Sequence, residues 1–163
     1  MKVILIIFSL IYSISCYSQT LNIDVSKNKF GIDETLSLIV SRIQDIENYQ
    51  NIEMYDEVII TLGEDDYSFT SNPNSLEYTN SYTIKDINTS NQYTIYFTEL
   101  PIILIESDNT IVDEPKVLAN LVYTDDEQTV ASHIGIELRG VSSQGHQKKT
   151  YDLEFWKDET GHV

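Results

Sequence analysis

The stretch Gln92–Thr98, QYTIYFT, alternates strictly: Tyr93, Ile95 and Phe97 fall on one side, Gln92, Thr94 and Tyr96 on the other. That period of two is the pattern of a strand with one buried face. Ten residues upstream Tyr82–Ile87 carries a similar pattern, and Asn88–Asn91 between them is turn chemistry, so the pair reads as a hairpin. Glu57–Leu62 (EVIITL), the turn Gly63–Asp66 (GEDD) and Tyr67–Thr70 (YSFT) repeat the signature, and Leu21–Val25 (LNIDV) adds a short strand ahead of the polar break Ser26–Lys29. Pro73 punctuates the loop Ser71–Ser75. Several short strands at this spacing predict a small β-sandwich-like domain over 19–98.

One segment reads two ways. Leu36, Ile39, Ile43 and Ile46 keep helical spacing, while Leu36, Leu38 and Val40 keep strand spacing. The β-branched content of Thr35, Ile39 and Val40 tips the reading toward a strand over Thr35–Arg42. Glu99-Leu100-Pro101 marks a seam. Beyond it the nearly unbroken apolar run LPIILIES predicts a central strand, followed by Val117–Tyr123, His133–Arg139 and Lys149–Trp156, with a glycine- and serine-rich connection between the last two.

The beginning of the chain is a targeting segment. Lys2 supplies the positive end, and Val3–Ile14 is apolar but too short to span a bilayer comfortably, which takes about 20 residues. Cleavage after Ser18 gives a signal peptide over 1–18, with Cys16 and Ser18 at the small-residue positions. Cleavage before Cys16 would leave a lipidated cysteine instead, against which stands Ser13 where an apolar residue is usual. The expected location is therefore outside the cytoplasm, secreted or at the cell surface or periplasm, with membrane contact only if Cys16 is lipidated. Cys16 is the sole cysteine, so disulfides and thiolate chemistry fall away and stability rests on an apolar core.

Composition narrows the function classes. The 163 residues have 41% hydrophobic and 22% charged content, as an ordinary globular chain has. A net charge of −16 repels phosphate backbones and argues against nucleic acid as a partner. His133, His146 and His162 lack metal-ligand spacing. Glu64-Asp65-Asp66 and Asp125-Asp126-Glu127 lack the spacing of a calcium loop and read as solvated acidic turns. Gly140-Val-Ser-Ser-Gln lacks the closing glycine of a nucleophile elbow. No metal site and no catalytic residue is assigned.

Local charge breaks the pattern near the end. From Arg139 to Lys157 four cations (Arg139, Lys148, Lys149, Lys157) face two carboxylates (Asp152, Glu154). A loop with Gly140 and Gly145 can turn sharply and offer backbone N–H groups to an anion. Ser142 and Ser143 add hydroxyl donors, and Lys148 or Lys149 a point charge. Arg139, Gly140, Ser142, Ser143, Lys148 and Lys149 are thus candidate phosphate contacts. The competing reading makes Arg139 a structural partner of a carboxylate and the lysines guards of a solvated strand edge.

Two stretches, Leu100–Tyr123 and Ile134–Gly161, resemble the first part of the CotH kinase family as found in secreted bacterial proteins. The resemblance lies in Leu100-Pro101, Asp113–Lys116, Arg139-Gly140, Ser142-Ser143, Lys148-Lys149 and Thr150-Tyr151, in that order. Gln147 stands where the family usually has proline, and His146 where an aromatic is common. The resemblance covers roughly the last third. It implies that 99–163 is the incomplete β-rich start of a kinase-like α+β domain, giving a mainly β chain as it stands. A complete family member implies ATP- and Mg²⁺-dependent phosphorylation of a protein substrate. The family's catalytic and metal-binding carboxylates lie further downstream, so no kinase activity and no cofactor are expected of this chain alone. The alternative is a non-enzymatic exported β-rich binding or surface module with an unknown protein partner.

Overall fold

The computed structural model describes residues 18–140 and 149–157. Among these described residues eleven strands form two sheets, and the structure is mainly β. The first sheet contains β1 (Thr20–Val25), β2 (Phe30–Asp33), β3 (Leu38–Arg42), β4 (Glu57–Leu62), β5 (Asp65–Phe69), β6 (Ser81–Asp86) and β7 (Gln92–Thr98). Its order is β1-β4-β5-β6-β7-β3-β2. β1 with β4 and β3 with β7 are parallel; the other neighbours are antiparallel.

Alternation explains the layering. Val58, Ile60 and Leu62 of β4 and Tyr93, Ile95 and Phe97 of β7 all point inward and are buried. They join Ile23 and Val25 of β1, Ile39 of β3 and Ile84 of β6 in a single core, with Phe30 and Ile32 of β2 packed against it. Strands from opposite ends of the ladder therefore share one interior, so the sheet curls over itself in a sandwich-like form. Gly63 in the β4–β5 turn, at φ +66°, lies where an added Cβ would come within 3.4 Å of the Phe30 ring. Only glycine adopts that backbone freely and leaves the ring room.

The ambiguous segment resolves as a strand, but a shorter one. Asp33 accepts a hydrogen bond from the Leu36 amide at 3.0 Å, Ser37 takes a positive φ of 48°, and β3 starts only at Leu38. Turn chemistry at 33–37 overrides the β-branched signal of Thr35, and Leu36 is exposed. The Ile46 end of the helical pattern makes only a 3₁₀ turn, Ile46–Tyr49.

β7 ends at Thr98, and the second sheet begins at Ile102. It holds β8 (Ile102–Glu106), β9 (Val117–Thr124), β10 (Thr129–Arg139) and β11 (Thr150–Phe155), antiparallel in the order β11-β10-β9-β8. The apolar run at 102–106 is an edge strand, not the central one the sequence predicts. Both its sides are apolar for separate reasons. Ile102 and Leu104 face the first sheet, where Leu104 crowds Gly31, while Ile103 and Ile105 belong to the other face of their own sheet. Among the described residues there is no α-helix.

One buried cation ties the two sheets together. The Arg42 side chain is 2% exposed. Its Nε donates to the Glu99 carbonyl at 3.1 Å and its Nη2 meets Asp126 Oδ1 at 2.5 Å. Gln44 also donates to Asp126. Asp126 sits in the β9–β10 turn, which Asp125 pins by accepting the amides of Glu127 and Gln128, both at 2.8 Å.

Candidate functional site

Register decides what the last hairpin presents. β10 and β11 pair antiparallel from Ile134 opposite Phe155 to Arg139 opposite Thr150. Residues directly opposite share a face. One face of the second sheet therefore carries Ile103 and Ile105, Ala119 and Leu121, Val130, Ile134 and Ile136, and Tyr151, Leu153 and Phe155. Its centre is buried, with Ile111 packed on Ala119, Leu121, Ile134 and Ile136. Its β11 margin is open: Tyr151 is 48% exposed, Leu153 43% and Phe155 64%. The opposite face carries Arg139, Glu137, Asp152 and Glu154.

Arg139 and Gly140 close β10, with Gly140 at φ +81°, where the chain leaves the strand. The Arg139 Nη2 reaches Asp152 Oδ2 at 3.0 Å, and its Nε lies 3.9 Å from Glu137. Lys116 joins them from the start of β9, with Nζ 3.0 Å from Asp152 and 3.2 Å from Glu154. Hydrogen bonds from Lys116 and then Arg139 hold the Asp152 carboxyl below its ordinary range. The same contacts raise Lys116, through Asp152 first and Glu154 next, and raise Arg139. Arg139 thus makes the carboxylate pairing that its structural reading called for, and any phosphate there competes with Asp152.

Lys149 precedes β11. Continuing the alternation back from Tyr151 assigns it to the apolar face, away from Arg139 and Thr150. The two cations that the sequence grouped together belong to opposite sides of the sheet. Ser142, Ser143 and Lys148 lie outside the described residues. Among the described residues no group of three His, Cys, Asp or Glu side chains could hold a metal ion, and no helix is long and apolar enough to cross a membrane.

Sequence reasoning missed three features. Lys116 is visible there only as part of Asp113–Lys116, because its partners lie on another strand. Arg42 carries no motif. Gly135 reads as an ordinary strand glycine, yet a Cβ on it would fall 2.5 Å from Cε2 and 2.7 Å from Nε1 of Trp156, whose indole lies against it.

No family model, curated protein or solved structure matches the chain.

Proposed function

We propose that this chain is the N-terminal portion of a secreted CotH-like protein kinase, with the second sheet as the nucleotide-covering start of its kinase-like domain. One observation carries the reading: the open apolar margin Tyr151–Leu153–Phe155 stands on the side to which the register assigns Lys149. Covering a nucleotide takes an apolar platform for the base and a lysine on the same side of a strand for the phosphates. An antiparallel sheet with one apolar face also calls for a second layer against it. Under this reading Ser142, Ser143 and Lys148 belong to the loop over the phosphates, ATP and Mg²⁺ are cofactors of the complete protein, and this chain alone transfers no phosphate.

The test uses a chain extended to the complete domain and measures MgATP affinity by calorimetry. Lys149→Ala weakens binding by about tenfold or more, since loss of a charge-assisted contact is involved, and Lys148→Ala by less. Equal and negligible effects overturn the reading. The ion pair between Arg139 and Asp152 supports the second reading, an exported β-rich binding module in which this hairpin is structural. That reading gains if the extended protein does not bind nucleotide.

A further inference from the structure

The polar face of the second sheet bears a feature that neither reading of the loop uses. A single row crosses all four strands. Glu106 on β8 is opposite Asn120 on β9, Asn120 is opposite His133 on β10, and the Trp156 amide donates to the His133 carbonyl at 3.0 Å just past β11. Asn120 Oδ1 and His133 Nδ1 lie 3.0 Å apart. Trp156 ends the row, its indole laid against the buried Gly135. It is partly exposed, so the site is open to solvent at this end. Glu106 and Asn120 are exposed. Beside them is a small cleft of about 110 Å³ lined by Glu106, Ser107, Asn109 and Leu118 among others.

We propose that this row is a binding platform for a neutral pyranose chain. A flat indole backed by glycine offers a rigid apolar surface to the C–H face of a sugar ring. Along the row the Glu106 carboxylate accepts hydrogen bonds and the Asn120 amide both accepts and donates, which suits the paired hydroxyls of a sugar ring. The chemistry also sets the charge of the ligand. Glu106, Glu137, Asp152 and Glu154 share this face, and its cations Lys116 and Arg139 are engaged with those carboxylates. An acidic sugar meets repulsion there. The row runs off the sheet at β11, an edge strand, so a polymer can extend past Trp156.

Trp156 is the only tryptophan in the chain, so its fluorescence reports on this site alone. The full chain is titrated with cellohexaose, mannohexaose and xylohexaose, and with polygalacturonate as the charged control. At least one neutral oligosaccharide should shift the Trp156 emission and give a calorimetric isotherm. Trp156→Ala should weaken that isotherm by about tenfold or more, Trp156→Tyr should retain part of it, and Asn120→Ala, an exposed change that leaves the indole in place, should weaken it about threefold or more. The proposal is overturned if none of the neutral sugars binds, if binding survives Trp156→Ala in a folded variant, if Asn120→Ala leaves it unchanged, or if polygalacturonate binds in preference. In the first case the indole serves only to cover Gly135.

Discussion

Removing the exposed half of the Arg42–Asp126 pair should harm the protein more than removing the buried half. The Arg42 side chain is 2% exposed and that of Asp126 53%. A guanidinium cannot shed its proton, so Asp126→Ala leaves a permanent charge buried with Glu99's carbonyl as its hydrogen-bond partner. Breaking a fully buried pair costs about 3–5 kcal/mol, and an exposed pair contributes under about 1 kcal/mol. This pair lies between those limits, so about 2 kcal/mol is expected for Asp126→Ala. Arg42→Met removes the charge itself and roughly fills its volume. Asp126 then rehydrates and keeps Gln44, and the main loss is the donor to Glu99, about 1 kcal/mol. The double variant should cost no more than Arg42→Met alone, a coupling that a double-mutant cycle reads directly. Urea unfolding followed by Trp156 fluorescence and by far-ultraviolet dichroism measures all three variants. A larger loss for Arg42→Met than for Asp126→Ala would show that packing of the arginine stem, not its buried charge, joins the sheets.

Gly135→Ala should destabilise the second sheet by about 1–3 kcal/mol, because the new methyl overlaps the indole. The Trp156 emission should shift to the red as the ring is displaced, and an unchanged spectrum with unchanged stability contradicts the close packing. Tyr67 should titrate far above ordinary tyrosine. Burial, then the charge of Asp65, pushes it up to about 12. Its neutral form is favoured when folded, so this contribution to stability is intact below pH 10 and is lost as pH rises from there toward about 12. Ultraviolet titration of wild type against Tyr67→Phe isolates the phenolate, and a Tyr67 midpoint near 10 refutes the assignment.

Much of the first sheet is legible in the sequence because its strands bury one face. Glu57–Leu62 and Gln92–Thr98 appear with the bounds their alternation indicates. β2 escapes such reading, since Phe30–Asp33 spans four residues and includes a glycine. β8 misleads for the opposite reason: one side packs on the first sheet while Ile103 and Ile105 on the other are exposed, and the resulting unbroken apolar run imitates a strand buried in mid-sheet. The hairpin around Gly140 is readable as a pair of strands, but the sides taken by Arg139 and Lys149 depend on register, which adjacency in sequence hides. Lys116 with Asp152, Arg42 with Asp126, and Trp156 on Gly135 are contacts between distant residues. Nothing local in composition or spacing announces them.

The parallel pairings impose an order of events as the chain emerges. β1 waits for β4, and β3 waits for β7, so neither can settle until a long intervening segment has been made. The second sheet has no such wait, because β8 to β11 are each laid against the strand just before. Closing distant pairs is slow and local hairpins are quick. A growing chain therefore leaves Ile23 and Val25 without their partner strand until Leu62 has appeared, and Ile39 without β7 until Thr98 has, and during that interval its earliest segment is the part most in need of a holding chaperone.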